Sequence, residues 1–219
     1  ITPAIISLLA AVGLSSLSVI QRPRVGVAST GNELLKMNEP LSPGKIYDSN
    51  AYALMSLVKS IGAIPIWLGM AKDTKRSVSS ILRKGAGLDL VLTSGGVSKG
   101  HLDLVKDVLA DAGCLDFWSI RMRPGKPLVF GKIKYADNDS TPYIGLPGNP
   151  VSTLVTFEVL VRPAILKMMG ISTFDRPIIR AKLEDDIYNP DKRRVFARVT
   201  ISKQGSIYHA RLAGPQGSN

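Results

Sequence analysis

Four groups of residues in this chain have the types and spacing to do chemistry on an anion. Thr93-Ser94-Gly95-Gly96-Val97-Ser98-Lys99-Gly100 stands between an apolar run and a helical pattern. Adjacent glycines let backbone amides approach a ligand, a helix start favours negative charge, and hydroxyls and a lysine add donors. A tight turn with solvated serines is the alternative, and the hydroxyls on both sides of the glycine pair favour ligand binding. Leu146-Pro147-Gly148-Asn149-Pro150-Val151-Ser152 repeats the setting. Its prolines stiffen the loop, Pro150 suits a first helical turn, and Asn149 or Ser152 can cap that helix or donate to an anion. Arg123-Pro124-Gly125-Lys126-Pro127 carries two cations around a Pro-Gly turn, which can bring them onto one oxyanion or leave them as a solvated basic hairpin tip. Glu33, Asp48, Asp73 and Asp103 are acids of the kind a magnesium site near phosphate loops requires. Each is also readable as a cap or surface acid, Asp48 above all as a helix cap.

These groups need elements that aim them at one place. Val25–Ser29 and Leu88–Thr93 are short apolar runs of the buried parallel-strand kind, Ile64–Gly69 and Tyr143–Leu146 read as further strands, and Phe117–Phe130 as a hairpin. Between them, helical spacing marks Ala51–Ser60, closed by Gly62, a segment from Thr74 or Lys75 through Arg83, Leu102–Ala112, and a long apolar helix Pro150–Met169. Strands alternating with helices predict an α/β three-layer sandwich with a mostly parallel sheet, whose ligands sit beyond the carboxyl ends of the strands. The motifs fall at those ends. After Gly170 the texture changes to short alternating strands, Pro177–Leu183, Val195–Ser202 and Ser206–Leu212, a small all-β subdomain. The expected division is 1–22 as a connecting helix and linker, 23–172 as the α/β domain and 173–219 as a partial β subdomain. With an Ile1 start and an abrupt end, the chain reads as truncated at both ends.

Composition narrows the function classes. The chain has 219 residues, 45% of them hydrophobic and 21% charged, which is globular. A single cysteine, Cys114, excludes an internal disulfide framework and fits a reducing compartment. Ile1–Leu17 is apolar but interrupted and lacks the basic start of a signal peptide, so Ala4–Val12 reads as a short packing helix and the protein as soluble and cytoplasmic, without a membrane partner. A net charge of +11 favours anionic partners, yet at 6% aromatics stacking platforms for single strands are scarce and nucleic acid is not the expected partner. No GxxxxGK[ST], GxGxxG or paired CxxC is present, His101 and His209 lack metal-ligand spacing, and neither Ser98 nor Ser152 sits in a nucleophile elbow.

Taken together, TGNEL, GKIYDSN, TSGGVSKGHLD, RPGKPLVFG and GLPGNPVS resemble, in order and spacing, the molybdopterin molybdenumtransferase family of MoeA and the gephyrin E domain. The resemblance covers 23–170 and continues through DKRR into the β subdomain. It implies a MogA-like molybdopterin-binding fold and a reaction on adenylylated molybdopterin, in which molybdate is inserted at the dithiolene and AMP is released, with magnesium. Carried onto this chain, Thr30, Asp48, Asn50, Thr93, Ser94, Gly95, Gly96, Ser98, Pro147, Gly148, Asn149 and Pro150 would meet the pterin and nucleotide. Glu33, Asp73, Asp103 and Lys126 would serve catalysis, with Asp73 and Asp103 on the metal. Arg123, Lys126, Ser152 and Arg193 would form the molybdate pocket. A homodimer, a MogA-type adenylyltransferase and molybdoenzymes are the implied partners.

This sequence departs from the family's pattern at Lys99, His101, Asn32 and Arg123, where a small apolar residue, an acid, an aspartate and a lysine are commoner. Competing readings are a scaffold domain of the gephyrin E type, a MogA-like adenylyltransferase and, from the charge, nucleic-acid binding.

Overall fold

The apolar run after Pro23 forms β1, Arg24–Thr30, in which every residue after Arg24 is buried. In the computed structural model, which describes residues 1–96, 107–109, 113–136, 139–190 and 192–217, this strand pairs in parallel on both sides. Its neighbours are β4, Ile64–Ala71, and β5, Leu90–Ser94. The short pair β2, Leu34–Leu35, and β3, Ile46–Tyr47, lies between β1 and the first sheet-covering helix. Further along the sheet stand β9, Asp139–Leu146, parallel to β5, and then β8, Pro127–Ala136, and β6, Gly113–Ser119, each antiparallel to its neighbour. The order is β4-β1-β5-β9-β8-β6, so the expectation of a mostly parallel sheet holds.

Side chains alternate across a strand, so one sheet feeds two cores. Val25, Val27, Leu90 and Leu92 face α2, Ser49–Ser60, and the helix after residue 149, burying Leu54, Val58, Phe157, Val161 and Ile165. Ala28, Val91 and Tyr143 face α3, Lys75–Arg83, with Val78, Ile81, Leu82, Val108 and Leu109. Two helical layers around one sheet give the three-layer sandwich. Thr93 and Tyr143 share a hydrogen bond of 2.6 Å within it, and burial pushes the Tyr143 phenol up to about 12.

The structure differs from the sequence reading at several elements. The helix over Pro150–Met169 is α4, Pro150–Thr156, a π turn Phe157–Val161, and α5, Arg162–Met168. Pro163 has no N–H to give the Val159 carbonyl, and the wider turn, with Arg162 N–H bonding Phe157 O, absorbs the misfit just before it. Strand β9 begins four residues before Tyr143, because Thr141 turns inward and its hydroxyl donates to Leu88 O at 3.0 Å. The packing helix is α1, Pro3–Ala11, capped by Thr2, but it buries none of its residues. Of the helix expected over Leu102–Ala112, only 107–109 fall among the described residues, and these are helical.

The β part is also rearranged. β12, Val199–Gln204, and β13, Ile207–Leu212, form an antiparallel hairpin, and the strand expected over Pro177–Leu183 shrinks to β10, Lys182–Leu183, beside β13. The strand expected over Val195–Ser202 breaks in two. Its start, β11, Arg194–Val195, leaves the hairpin and pairs in parallel with β7, Met122–Arg123, beside the larger sheet.

Candidate functional site

Three glycine-containing turns meet at the carboxyl ends of β1, β5 and β9. Gly95, at φ +86°, comes so close to β1 that a Cβ there would lie 2.4 Å from the Thr30 carbonyl oxygen. Its N–H donates to Leu146 O at 3.1 Å, tying the Ser94-Gly95-Gly96 turn to the end of β9. Gly148 faces Gly95 across a gap that a Cβ would close to 3.4 Å. Asn50, in the first turn of α2, joins two of the three, those after β5 and β9: its amide donates to Ser94 Oγ and Gly148 O, each at 2.7 Å. Asp48 caps α2 by accepting from Ala51 N–H at 3.1 Å, the role its position in YDSN suggested. Among the described residues the hydroxyls of Ser29, Thr30 and Thr156 and the second carboxylate oxygen of Asp48 are buried without a protein hydrogen-bond partner.

The second half of the site is a cleft of about 440 Å³. Arg123, Lys126, Ser152 and Arg193, four residues from three separate stretches of sequence, all line it. Each has a structural reason to be there. The hairpin tip 120–126 is closed by Ile120 N–H on Lys126 O at 3.1 Å. Gly125, at φ +100°, seats the tip against α4, where a Cβ would lie 2.5 Å from Thr156 Oγ1. Ser152 projects from the first turn of α4, whose N-terminus Asn149 caps by accepting from Val151 N–H at 3.2 Å. Arg193 arrives by the β11–β7 pairing: Arg194 N–H bonds Arg121 O at 2.9 Å and Phe196 N–H bonds Arg123 O at 2.8 Å. Lys192 before it is left-handed at φ 51°, and Asn189 holds the Arg193 carbonyl at 2.8 Å. Three cations and a hydroxyl around one cavity suit a tetrahedral dianion. Pro147, Gly148 and Asn149 line the same cleft, so it is continuous with the glycine turns.

The acids are less completely placed. Asn32 N–H donates to Asp73 Oδ2 at 3.0 Å, and Asp73 N–H donates to Asn32 Oδ1 at 3.1 Å. This reciprocal pair brings Asp73, after β4, against the loop that carries Glu33, after β1. Asp103 and Ser98 lie outside the described residues. Among the described residues no three His, Cys, Asp or Glu come together as a metal cage. Asp48 is set apart from the cleft of cations: it lines a second, larger cavity of about 800 Å³ with Tyr52, Met55 and Trp67.

Comparison with known proteins settles which family builds such a site. Residues 26–167 match the family model described as "Probable molybdopterin binding domain". The chain belongs to this family of molybdopterin-binding domains. It is 38% identical to a molybdopterin molybdenumtransferase of Nostoc sp. over 212 residues, covering 95% of this chain and 48% of the relative. A molybdopterin molybdenumtransferase of Haemophilus influenzae is 37% identical over 225 residues, covering 100% of this chain and 54% of the relative. The solved molybdopterin biosynthesis MoeA protein from Pyrococcus horikoshii superposes with a TM-score of 0.75 at 34% identity, covering 95% of this chain and 50% of that one. The chain thus spans about half the length of the relatives it matches.

Beyond the part matched by the domain model, the sequence reading missed Gln216 and Gly217, which line the cleft with Arg193. The signal was the run Gly214-Pro215-Gln216-Gly217, a turn-rich polar stretch right after a strand. Asn50 carries the largest share of the loop assembly. Replacing it with alanine leaves Ser94 Oγ and Gly148 O without that partner. At roughly 1–3 kcal/mol for each buried group orphaned, and about 2–4 °C per kcal/mol in a chain this size, the melting temperature is expected to fall by at least about 4 °C. A thermal denaturation curve unchanged within 1–2 °C would show that the two loops hold each other without Asn50.

Proposed function

We propose that this chain carries the oxyanion- and nucleotide-binding part of a molybdopterin molybdenumtransferase. Its reaction inserts molybdate at the dithiolene of adenylylated molybdopterin and hydrolyses the pterin–AMP phosphoanhydride, releasing AMP. The observation that carries this reading is the convergence of Arg123, Lys126, Ser152 and Arg193 on one cleft. That cleft runs directly into the Pro147-Gly148-Asn149 turn, which the Asn50 bridge joins to Ser94-Gly95. A tetrahedral dianion would sit at the cationic end, and the phosphate and nucleotide of an extended substrate would follow the glycine turns, whose amides and helix starts favour negative charge. Rate enhancement would come from positioning and electrostatic stabilisation, since the described lining of the cleft offers cations rather than an activated nucleophile.

Magnesium is the cation this reading calls for, near oxygen donors on the loops after β1 and β4. Glu33 and Asp73 stand on neighbouring loops locked by the Asn32–Asp73 pair, and hard oxygen donors with room for water are what this cation takes. Asp73, with Asp103, would hold it, Glu33 would stand near it as a catalytic acid, and the bound ion would supply charge neutralisation at the phosphoanhydride. The exposed apolar residues of α1, Ile5, Ile6 and Leu8, support a homodimer in which this face is covered. No described helix is long and apolar enough to cross a membrane.

The test is a tungstate soak of crystals of this chain. An anomalous difference peak is expected among Arg123, Lys126, Ser152 and Arg193. A filled lattice with an open cleft and no peak there would remove the oxyanion from the proposal.

A further inference from the structure

One wall of the cationic cleft is made by residues that belong to no helix or strand. Gln216 and Gly217 line the cavity opposite the Arg123–Lys126 tip, and something must hold an irregular segment in that place. The bonds converge on Arg198, which is half-buried beside β12 and does not itself line the cleft. One of its guanidinium nitrogens, Nη2, donates to Pro215 O at 2.5 Å and to Gly217 O at 2.7 Å. Its main-chain N–H donates to Gln216 Oε1 at 2.8 Å, while Gln216 Nε2 returns a bond to the Arg198 carbonyl at 3.1 Å and another to Gly214 O at 2.9 Å. Ala213 N–H also reaches the Arg198 carbonyl, at 2.9 Å. Five of the bonds that fix residues 213–217 therefore pass through a single residue.

Gln216 is also a partition. A neighbouring cavity of about 270 Å³, lined by Asp186, Tyr188 and Phe196, shares Arg123, Pro124 and Gln216 with the cationic cleft. If the segment swings away, the two cavities merge, and the cations face open solvent at higher dielectric, where their hold on an anion weakens.

We infer that Arg198 is a positioning residue for oxyanion binding, fastening Gly214–Gly217 as the wall that closes the cationic cleft; this rests on the oxyanion reading above. The guanidinium is suited to the task because its planar donors can serve two carbonyls from one fixed plane, with little rotamer entropy lost per bond. A lysine keeps the charge without that plane.

The inference is tested by titrating tungstate into the full 219-residue chain and into Arg198→Met, Arg198→Lys and Lys126→Ala. Arg198→Met keeps the aliphatic stem and removes every side-chain donor. It is expected to weaken tungstate at least fivefold, to speed hydrogen exchange at 213–217, and to narrow the preference for tungstate over the smaller sulfate. Arg198→Lys is expected to recover part of the affinity, a rescue that a merely structural change would not produce, and it decides the matter if the methionine variant melts early. Wild-type affinity and selectivity in both Arg198 variants, with binding still weakened at least about tenfold by Lys126→Ala, would overturn the inference and leave the oxyanion reading standing. Absence of any Lys126-dependent binding in the wild-type chain would overturn the reading itself and the inference with it.

Discussion

Lys126→Ala is expected to weaken tungstate binding by about 10- to 150-fold while the melting temperature stays within about 2 °C. Lys126 is exposed at a hairpin tip that its backbone, not its side chain, holds closed, and substitutions at such surface positions usually change stability by no more than about 0.5 kcal/mol. Binding is different. A hydrogen bond to a charged group contributes about 1.5–3 kcal/mol, and every 1.4 kcal/mol is a factor of about ten in affinity. Arg123 and Arg193 remain in the cleft, so attraction at a distance persists and residual binding should weaken steeply as salt is raised. Isothermal titration at two ionic strengths reads both quantities. Affinity unchanged by the substitution would mean that the anion is held elsewhere.

Gly95→Ala is expected to have the largest effect on the fold of the site. The residue is at φ +86°, and the added Cβ would meet the Thr30 carbonyl oxygen at 2.4 Å. That neighbour is main chain of a strand paired on both sides, so it cannot swing away as a side-chain tip would. Left-handed strain alone costs roughly 1–3 kcal/mol, and relief of the clash has to come from moving the Ser94–Gly96 turn. A total of about 3 kcal/mol or more, and so a fall in melting temperature of about 6–12 °C, follows for a chain of this size. Tungstate binding should suffer less than nucleotide binding, since Gly95 stands at the glycine-turn end of the site and does not line the cationic cleft. A variant that melts like the wild type would mean that the turn is looser than its contacts indicate.

The parts of this protein legible in its sequence were those set by local pattern. Parallel strands buried on both faces announce themselves as apolar runs, and β1 and β5 follow directly; the edge strand β4, only partly buried, was also read from its apolar run. So do the caps, because Asp48, Thr74 and Asn149 are short polar residues placed just before apolar periodicity. That Arg123, Lys126 and Ser152 gather at one place was legible because they sit in dense motifs, Arg123 and Lys126 around one turn and Ser152 at one helix start. What local pattern could not give were choices made between distant segments. The sequence reading starts this strand at Tyr143, yet Thr141 is buried within it because the loop at 85–88 offers it carbonyls. The π turn needs only Pro163, but whether a helix answers a proline by breaking or widening depends on what packs on each side. That Arg194–Val195 pairs with Met122–Arg123, and that Gln216 lines the cleft, are facts about how two sheets meet, which no spacing encodes.

That meeting of two sheets has a consequence in time. The cleft's first wall is complete when Ser152 has folded, and the sheet behind it closes once β9, ending at Leu146, has paired. Its second wall waits for Arg193 and Gln216, up to 70 residues later by numbering, 216 minus 146. At a synthesis rate of about 5–20 residues per second, a growing chain spends about 4–14 s with its sheet formed and the cationic cleft open on one side. The nascent protein can thus complete its sheet well before Gln216 lines the cleft, so on the proposed reading binding competence would mark a chain whose synthesis has already passed residue 216.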